Sequence, residues 1–458
     1  MNVNLASRPA TSLSKRYLLV FWLLVLSAVA FLDRTNISIA GVQIGKEFRI
    51  DNTHLGWVFS AFLIGYAAFQ IPGGVLARRL GPRRVLALSV IWWGVFTALT
   101  ALVPPGMQGA LLALVLVRFS LGAGEATMYP ASNQFVERWF PVHERGKANG
   151  IIFGGVGLGS GITPPIVTAI ILHYGWRASF WFSAFVGIVV GSIWYLAARD
   201  TPEEHPLVST RELEAIVPGR GDARIELRGT ASSKRADVPW ARIFGSKEIV
   251  AITASYFAFG YVAWIFFSWF YIYLAQVRGL NLKTSAVYSM FPFIAMTLGS
   301  LSGGVASDWL AHHYSARIGR CWLPALAQAF TAVLLVVGSH VARPQTASLV
   351  LACGAGALYV SQSCFWSVTA DFAGEHAGVA SGMMNMGAQV GGAVTASLTP
   401  LIALHFGWSA SFLTAALLAA GGTLCWLTVN PDKRLAAIEF TPSGILPEPL
   451  RGSSQGRV

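Results

Sequence analysis

Gly73-Gly74-Val75-Leu76-Ala77-Arg78-Arg79-Leu80-Gly81-Pro82-Arg83-Arg84 closes one long apolar run and precedes the next. Gly303-Gly304-Val305-Ala306-Ser307-Asp308-Trp309-Leu310 does the same further along. Each stretch follows the second apolar run of its half of the chain, so the pair reads as an internal duplication. Glycines at such a boundary allow two helices to approach closely, and the charges mark where the chain leaves the membrane. The runs on either side, such as 17–32 and 55–77, approach or reach the roughly 20 residues that a helix needs to cross about 30 Å of hydrocarbon. About twelve such runs are legible. Of the 458 residues, 54% are hydrophobic and only 12% charged. That is too apolar for a chain whose main solvent is water. Open strands would leave unpaired backbone groups in lipid, and the alternation of a membrane barrel is absent. The expected fold is all-α and integral to the membrane, with 12 transmembrane helices in two pseudo-symmetric six-helix bundles.

A formal net charge of +12 could signal nucleic acid. The position of the basic residues argues otherwise. Most cluster at Lys15 and Arg16, at Arg78 to Arg84, at Arg138, Arg145 and Lys147, in the stretch 199–246, and in the tail. With the N-terminus in the cytoplasm these all fall on one side, which is the positive-inside pattern. The expected partners are the lipid bilayer and a small organic anion, with no nucleic acid, and the protein is expected to be a monomer. It is expected in the inner (plasma) membrane with both termini cytoplasmic. The boundaries read as a cytoplasmic segment 1–16, a first bundle 17–198, a central loop 199–246, a second bundle 247–429 and a tail 430–458. Within the loop, Ser209-Thr210-Arg211-Glu212 has helix-capping character. Lys15 and Arg16 ahead of an apolar run resemble a signal peptide, but removing that helix would break the even count, so it is read as retained. The four cysteines lack metal spacing and read as core residues, with no metal site expected.

Several segments resemble the major facilitator superfamily, whose loop between the second and third helices carries a Gly, acidic, basic, Gly, basic pattern. Within it, Asp33-Arg34-Thr35-Asn36 and the stretch 118–130, with Gly122, Gly124, Glu125 and Ala126, are similar to the organic anion to cation symporter family. Trp139, Phe140, Pro141, Glu144 and Arg145 continue the likeness, as do Pro164 and Pro165, and Asn385 with Gly391 and Gly392. The resemblance implies the major facilitator fold, alternating access and proton-linked transport, with coupling carboxylates at Asp33 and Glu125. One departure stands out: the first copy has Arg78 where the pattern has an acidic residue, whereas the second keeps Asp308. The gating group is expected to comprise Gly74, Arg78, Gly81, Arg83, Gly304 and Asp308, with Pro164 and Pro165 kinking the fifth span.

Four charged residues fall deep inside apolar runs: Asp33, Arg34, Arg118 and Glu125. Intramembrane charge is costly unless paired or solvated, so it marks function by default. At 1.5 Å per residue, Asp33 lies ~24 Å from the start of its helix and Arg118 ~16 Å from the same side. Asp33 is therefore expected to meet Arg118, with Glu125 nearer the cytoplasm, and these three form the expected proton-coupling group. Protons are the expected coupling ion, and no other cofactor is expected. Arg34 keeps its charge at any relevant pH and presents a planar fork suited to a carboxylate. Asn36, Tyr66, Gln70, Trp366, Ser367 and Asn385 complete the expected substrate-binding set. A purely structural ion-pair network is the competing reading of the four charges. The glycine-rich fifth span offers little but Val156 as a side chain, which favours a small or apolar acid over a heavily hydroxylated one. The function that follows is proton-coupled uptake of an organic carboxylate, such as a sugar acid or aromatic acid. Anion exchange or uniport, and a nutrient sensor on a transporter scaffold, are the alternatives. No nucleophile and base constellation points to an enzyme.

Overall fold

A computed structural model describes residues 14–216, 245–373 and 377–431. The segment 1–13, most of the central loop and the tail beyond 431 lie outside the described residues. Among the described residues, twelve helices are long and apolar enough to span a membrane. In the first half they are α1 (Lys15–Phe48), α2 (Asn52–Leu80), α3 (Pro82–Leu102), α4 (Ala110–Trp139), α5 (Ala148–Tyr174) and α6 (Trp176–Ala197). In the second half they are α7 (Lys247–Ser268), α8 (Leu282–His313), α9 (Ile318–His340), α10 (Pro344–Thr369), α11 (Ala380–Phe406) and α12 (Trp408–Thr428). Large apolar side chains such as Phe185, Leu298, Val305 and Leu417 point outward, as lipid-facing residues do.

The packing repeats as the sequence does. In the first half α1 packs on α5, α2 on α4 and α3 on α6; in the second, α7 packs on α11, α8 on α10 and α9 on α12. The halves join through α2 against α11 and α5 against α8, two contacts that exchange under the same two-fold relation. Both α4 and α10 break at matching places: α4 after Glu125, resuming at Met128, and α10 after Val360, resuming at Gln362. A second repeat, not anticipated from the sequence, lies at the turns His173-Tyr174-Gly175-Trp176 and His405-Phe406-Gly407-Trp408. Gly175 and Gly407 both take φ +81, a left-handed conformation that favours glycine.

The paired glycines act as expected in part. A Cβ on Gly73 would lie 2.9 Å from the Thr127 Cα, and one on Gly303 would lie 2.2 Å from the Val360 oxygen, so these two permit close helix approach. Gly74 and Gly304 would meet nothing closer than 3.5 and 3.8 Å. The close approach thus belongs to the first glycine of each pair, and Gly74 instead offers its carbonyl to Gln134 at 2.8 Å. Near the central loop, Ser209 caps the short helix Thr210–Ile216, its hydroxyl accepting from the Glu212 N–H at 3.2 Å. The Glu212 carboxylate in turn accepts from the Lys15 and Arg16 backbone N–H groups, capping α1. Cys321 and Cys364 are buried as expected, whereas Cys353 is exposed.

Between the halves, many polar and aromatic contacts collect at the end where α1 runs into α2. There the Ser38 hydroxyl donates to the Ser268 carbonyl at 2.7 Å, the Ser60 hydroxyl to the Ala393 carbonyl at 2.6 Å, and Asn52 to Gln276 at 3.2 Å. Below them, Phe31 meets Phe267 at 5.6 Å and Phe62 meets Trp264 at 6.5 Å, forming an aromatic layer between this end and the centre of the bundle.

Candidate functional site

The charges of the first half converge at that centre. Arg34 Nε donates to Glu125 Oε1 at 2.5 Å, and the two side chains are 3% and 0% exposed. Three rings surround the guanidinium: Phe31 at 4.4 Å, Tyr66 at 4.7 Å and Phe62 at 5.5 Å. Their π-faces favour a cation in a space with little water. Phe31 precedes Arg34 by three residues on one helix, so its ring reaches the same face.

The expected meeting of Asp33 and Arg118 takes the form of charge interaction without a direct ion pair among the described residues, and the direct pair is Arg34–Glu125. Asp33 and Arg34 diverge by about 100° around α1. The rotation of α1 turns Arg34 toward α4 at the level of Glu125 and turns Asp33 toward Thr97 on α3 and Ser183 on α6. Rotation about the helix axis depends on packing, which depth along the axis does not reveal. Arg118 keeps an electrostatic hold on both Asp33 and Glu125, and its guanidinium lies 4.9 Å from the Phe62 ring. Among the described residues neither Asp33 oxygen meets hydrogen-bond geometry, although the Thr97 and Ser183 hydroxyls face it, and Arg34 Nη2, Glu125 Oε2 and Arg118 Nε are likewise buried without a geometric partner. Buried polar atoms are usually bonded, so this cluster has unused capacity where charge is most costly to leave unsolvated.

Of the expected binding residues, Tyr66 is buried against Arg34, and Gln70, one turn on, has its buried Oε1 unbonded. Asn36 bridges helices: its amide nitrogen donates to the Ser183 hydroxyl at 3.2 Å and its oxygen accepts from Ser179 at 2.8 Å. Both ends are engaged by α6, so Asn36 fastens α1 to α6 within one half. Ser367 and Asn385 are partly buried on α10 and α11, and among the described residues no hydrogen bond joins them to the charge cluster.

Trp366 joins the cluster through rings. It lies 6.2 Å from Phe153 on α5, and Phe153 stacks at 5.0 Å and 11° on Tyr129. Tyr129 follows Glu125 by four residues, and its hydroxyl pairs with the Ser27 hydroxyl at 2.9 Å. Tyr359 on α10 feels the charge of Arg34 across the halves. Phe31, Phe62, Tyr129, Phe153 and Tyr359 were absent from the expected set. One-turn spacing from Arg34 and Glu125 marks Phe31 and Tyr129; nothing local in the sequence marks the others.

At the far end of α2, Arg78 is exposed and has no carboxylate partner among the described residues, whereas Asp308 pairs with Arg320 at 2.9 Å inside its own half. The first half finds its acid elsewhere. The Arg83 N–H donates to Asp200 Oδ1 at 2.9 Å, capping the start of α3 from the end of α6, and Gly81 fits beside that carboxylate at φ +87. Pro164 and Pro165 lie inside the helix that ends at Tyr174.

Comparison with known proteins adds the lineage. Residues 23–396 match the family model of the Major Facilitator Superfamily. The chain belongs to this superfamily. It is accordingly a multi-pass membrane transporter and not an enzyme. Among superfamily members, the chain is 32% identical over 418 residues to the "Probable sulfoacetate transporter SauU" of Cupriavidus necator, covering 91% of this chain and 94% of that one. It is 27% identical over 411 residues to the "Hexuronate transporter" of Bacillus subtilis, covering 88% and 92%. In fold it resembles a bacterial homologue of the human lysosomal transporter Spinster, with TM-score 0.72 at 16% identity, covering 91% of this chain and 97% of that one. A D-xylose–proton symporter gives TM-score 0.68 at 15% identity, covering 91% and 98%.

Proposed function

We propose that this protein is a proton-coupled symporter of a small organic anion, working by alternating access. The observation that carries the reading is the buried Arg34–Glu125 pair with open hydrogen-bonding capacity on both partners, beside a buried Asp33 carboxylate that faces the Thr97 and Ser183 hydroxyls and has no ion-pair partner among the described residues. While Glu125 is ionised it holds Arg34. A proton on Glu125 removes the counter-charge and frees the guanidinium for a substrate carboxylate or sulfonate. Loss of that proton re-forms the pair and displaces the anion. Asp33 is the second proton station: ionised it is costly to bury, while the neutral acid is not. Arg118 between the two acids limits how many charges the cluster holds at once.

Contacts between the halves gather away from the loop 78–84, so this state is read as open toward that loop. The loop is basic, and the positive-inside pattern supports that side as the cytoplasm. Relatives that carry the names of sulfoacetate and hexuronate transporters support an anionic substrate. Val156 among the glycines of α5 and the ring set Tyr129, Phe153, Trp366 and Tyr359 favour a small or partly apolar acid. Tyr66 and Gln70, with Trp366, Ser367 and Asn385 from the second half, complete the site in this reading.

Uptake into proteoliposomes tests it. An inward proton gradient should drive accumulation of the best anion found by thermal-shift screening, and Asp33→Asn and Glu125→Gln should abolish that drive. Gradient-independent uptake that persists unchanged in both variants rejects proton coupling.

A further inference from the structure

The outer face of the first half holds a feature apart from the charge cluster. Between α3 and α6, at the end bearing the loop 78–84, lies a cleft of about 490 Å³. Its walls are apolar, with Leu88 and Ile91 from α3 and Gly191 and Leu196 from α6, and Arg84 and Tyr195 stand at its mouth. Arg84, Leu88 and Ile91 follow helical spacing, so they share one face and the cleft runs ~10 Å inward from the arginine. Leu88 is 57% exposed and Leu196 72%, so the walls face lipid and not protein.

The mouth is basic. Positions 78–84 and 199–204 hold five arginines against Asp200, Glu203 and Glu204. Asp200 is engaged by the Arg83 N–H, and Arg83 is itself held at the rim: its Nε donates to the Tyr195 carbonyl at 2.9 Å and its guanidinium lies 4.4 Å from the Tyr195 ring. Arg78, Arg79 and Arg84 are exposed and have no ion-pair partner among the described residues. Where the related loop pattern has an acidic side chain, this loop has Arg78, so its positive charge is not balanced from within.

An apolar cleft that opens to lipid and ends in unpaired guanidinium groups at the membrane boundary fits one kind of occupant. We propose that it binds a phospholipid with a net negative headgroup, one acyl chain lying along Leu88 and Ile91 and the phosphate meeting Arg84. Arginine suits the phosphate because its planar fork can donate two bonds at once. The lipid then supplies the counter-charge that the loop lacks, and it does so on α3 and α6, which move together as parts of one half.

Native mass spectrometry of the full-length protein, delipidated and then titrated with dioleoyl phosphatidylglycerol or dioleoyl phosphatidylethanolamine, tests the proposal. The unaltered protein should retain phosphatidylglycerol in preference. Arg84→Gln should weaken that retention about fivefold, the effect expected for one basic group at a membrane surface. Leu88→Trp, which fills the cleft from an exposed position, should reduce retention of both lipids. Equal retention of the two lipids by the unaltered protein overturns the proposal, as does phosphatidylglycerol retention that neither substitution changes. A thermal transition matching the unaltered protein shows that each variant is folded.

Discussion

The two buried acids, Asp33 on α1 and Glu125 on α4, should respond to neutralisation in opposite ways. Glu125→Gln removes the counter-ion of a guanidinium whose side chain is 3% exposed. Breaking a buried pair from one side costs about 3–5 kcal/mol, because the remaining charge is stranded. Here Phe31 and Tyr66 rings lie within 4.7 Å of the guanidinium and still attract it, each worth roughly 0.5–2 kcal/mol when desolvated. The expected loss therefore falls near the lower limit, about 3 kcal/mol, or on the order of a hundredfold in the folding equilibrium. Asp33→Asn removes a charge that has no ion-pair partner among the described residues and faces only the Thr97 and Ser183 hydroxyls, although it also deprives Arg118 of an attractive neighbour. The expected change is between zero and a gain of about 1–2 kcal/mol. The assay is thermal unfolding of the purified protein in detergent, with Arg34→Gln and the Arg34→Gln/Glu125→Gln double variant closing a cycle. The double variant should lose less than the sum of the two single losses. Equal destabilisation by Asp33→Asn and Glu125→Gln, or additive losses in the cycle, would refute the pairing.

Three further perturbations probe other parts of the fold. A Cβ at Gly56 would sit 2.4 Å from the Ala396 carbonyl of the other half, so Gly56→Val should hold the halves apart there. Overpacking of about 1–3 kcal/mol should shift the population in which the halves meet there by roughly 5- to 150-fold, read as faster labelling of a Ser38→Cys thiol. Gly81→Ala puts a side chain at φ +87 and 2.5 Å from the Asp200 carboxylate. It should cost about 2 kcal/mol in unfolding experiments, and less in an Asp200→Ala background. Asp51 caps α2 by accepting the His54 N–H at 2.9 Å. That backbone bond, with the His54 ring, holds its carboxyl below the usual range. The cap's contribution is therefore complete above the ordinary carboxylate range and is lost as pH falls through the lowered value. Asp51→Ala should cost about 1 kcal/mol at neutral pH and progressively less on acidification, measured by thermal shift across a pH series.

Apolar run length and the repeated Gly-Gly stretches were enough to read about twelve helices in two related halves, because a membrane leaves helices as nearly the only open choice. The four deep charges could be singled out for the same reason: each is expensive where it stands. Their partners could not. Whether Arg34 or Asp33 faces Glu125 depends on how α1 is rotated against α4 and α6, and that rotation is set by packing over the whole bundle. Asn36 shows the same limit, since a polar residue beside Arg34 in sequence proved to be tied to Ser179 and Ser183 on α6. Tyr129, Phe153 and Trp366 come from α4, α5 and α10, and only the docking of the two halves makes them one surface. Sequence determined which residues could not be idle in lipid; tertiary structure decided which of them meet, because contact between helices depends on rotation and docking that no single helix encodes.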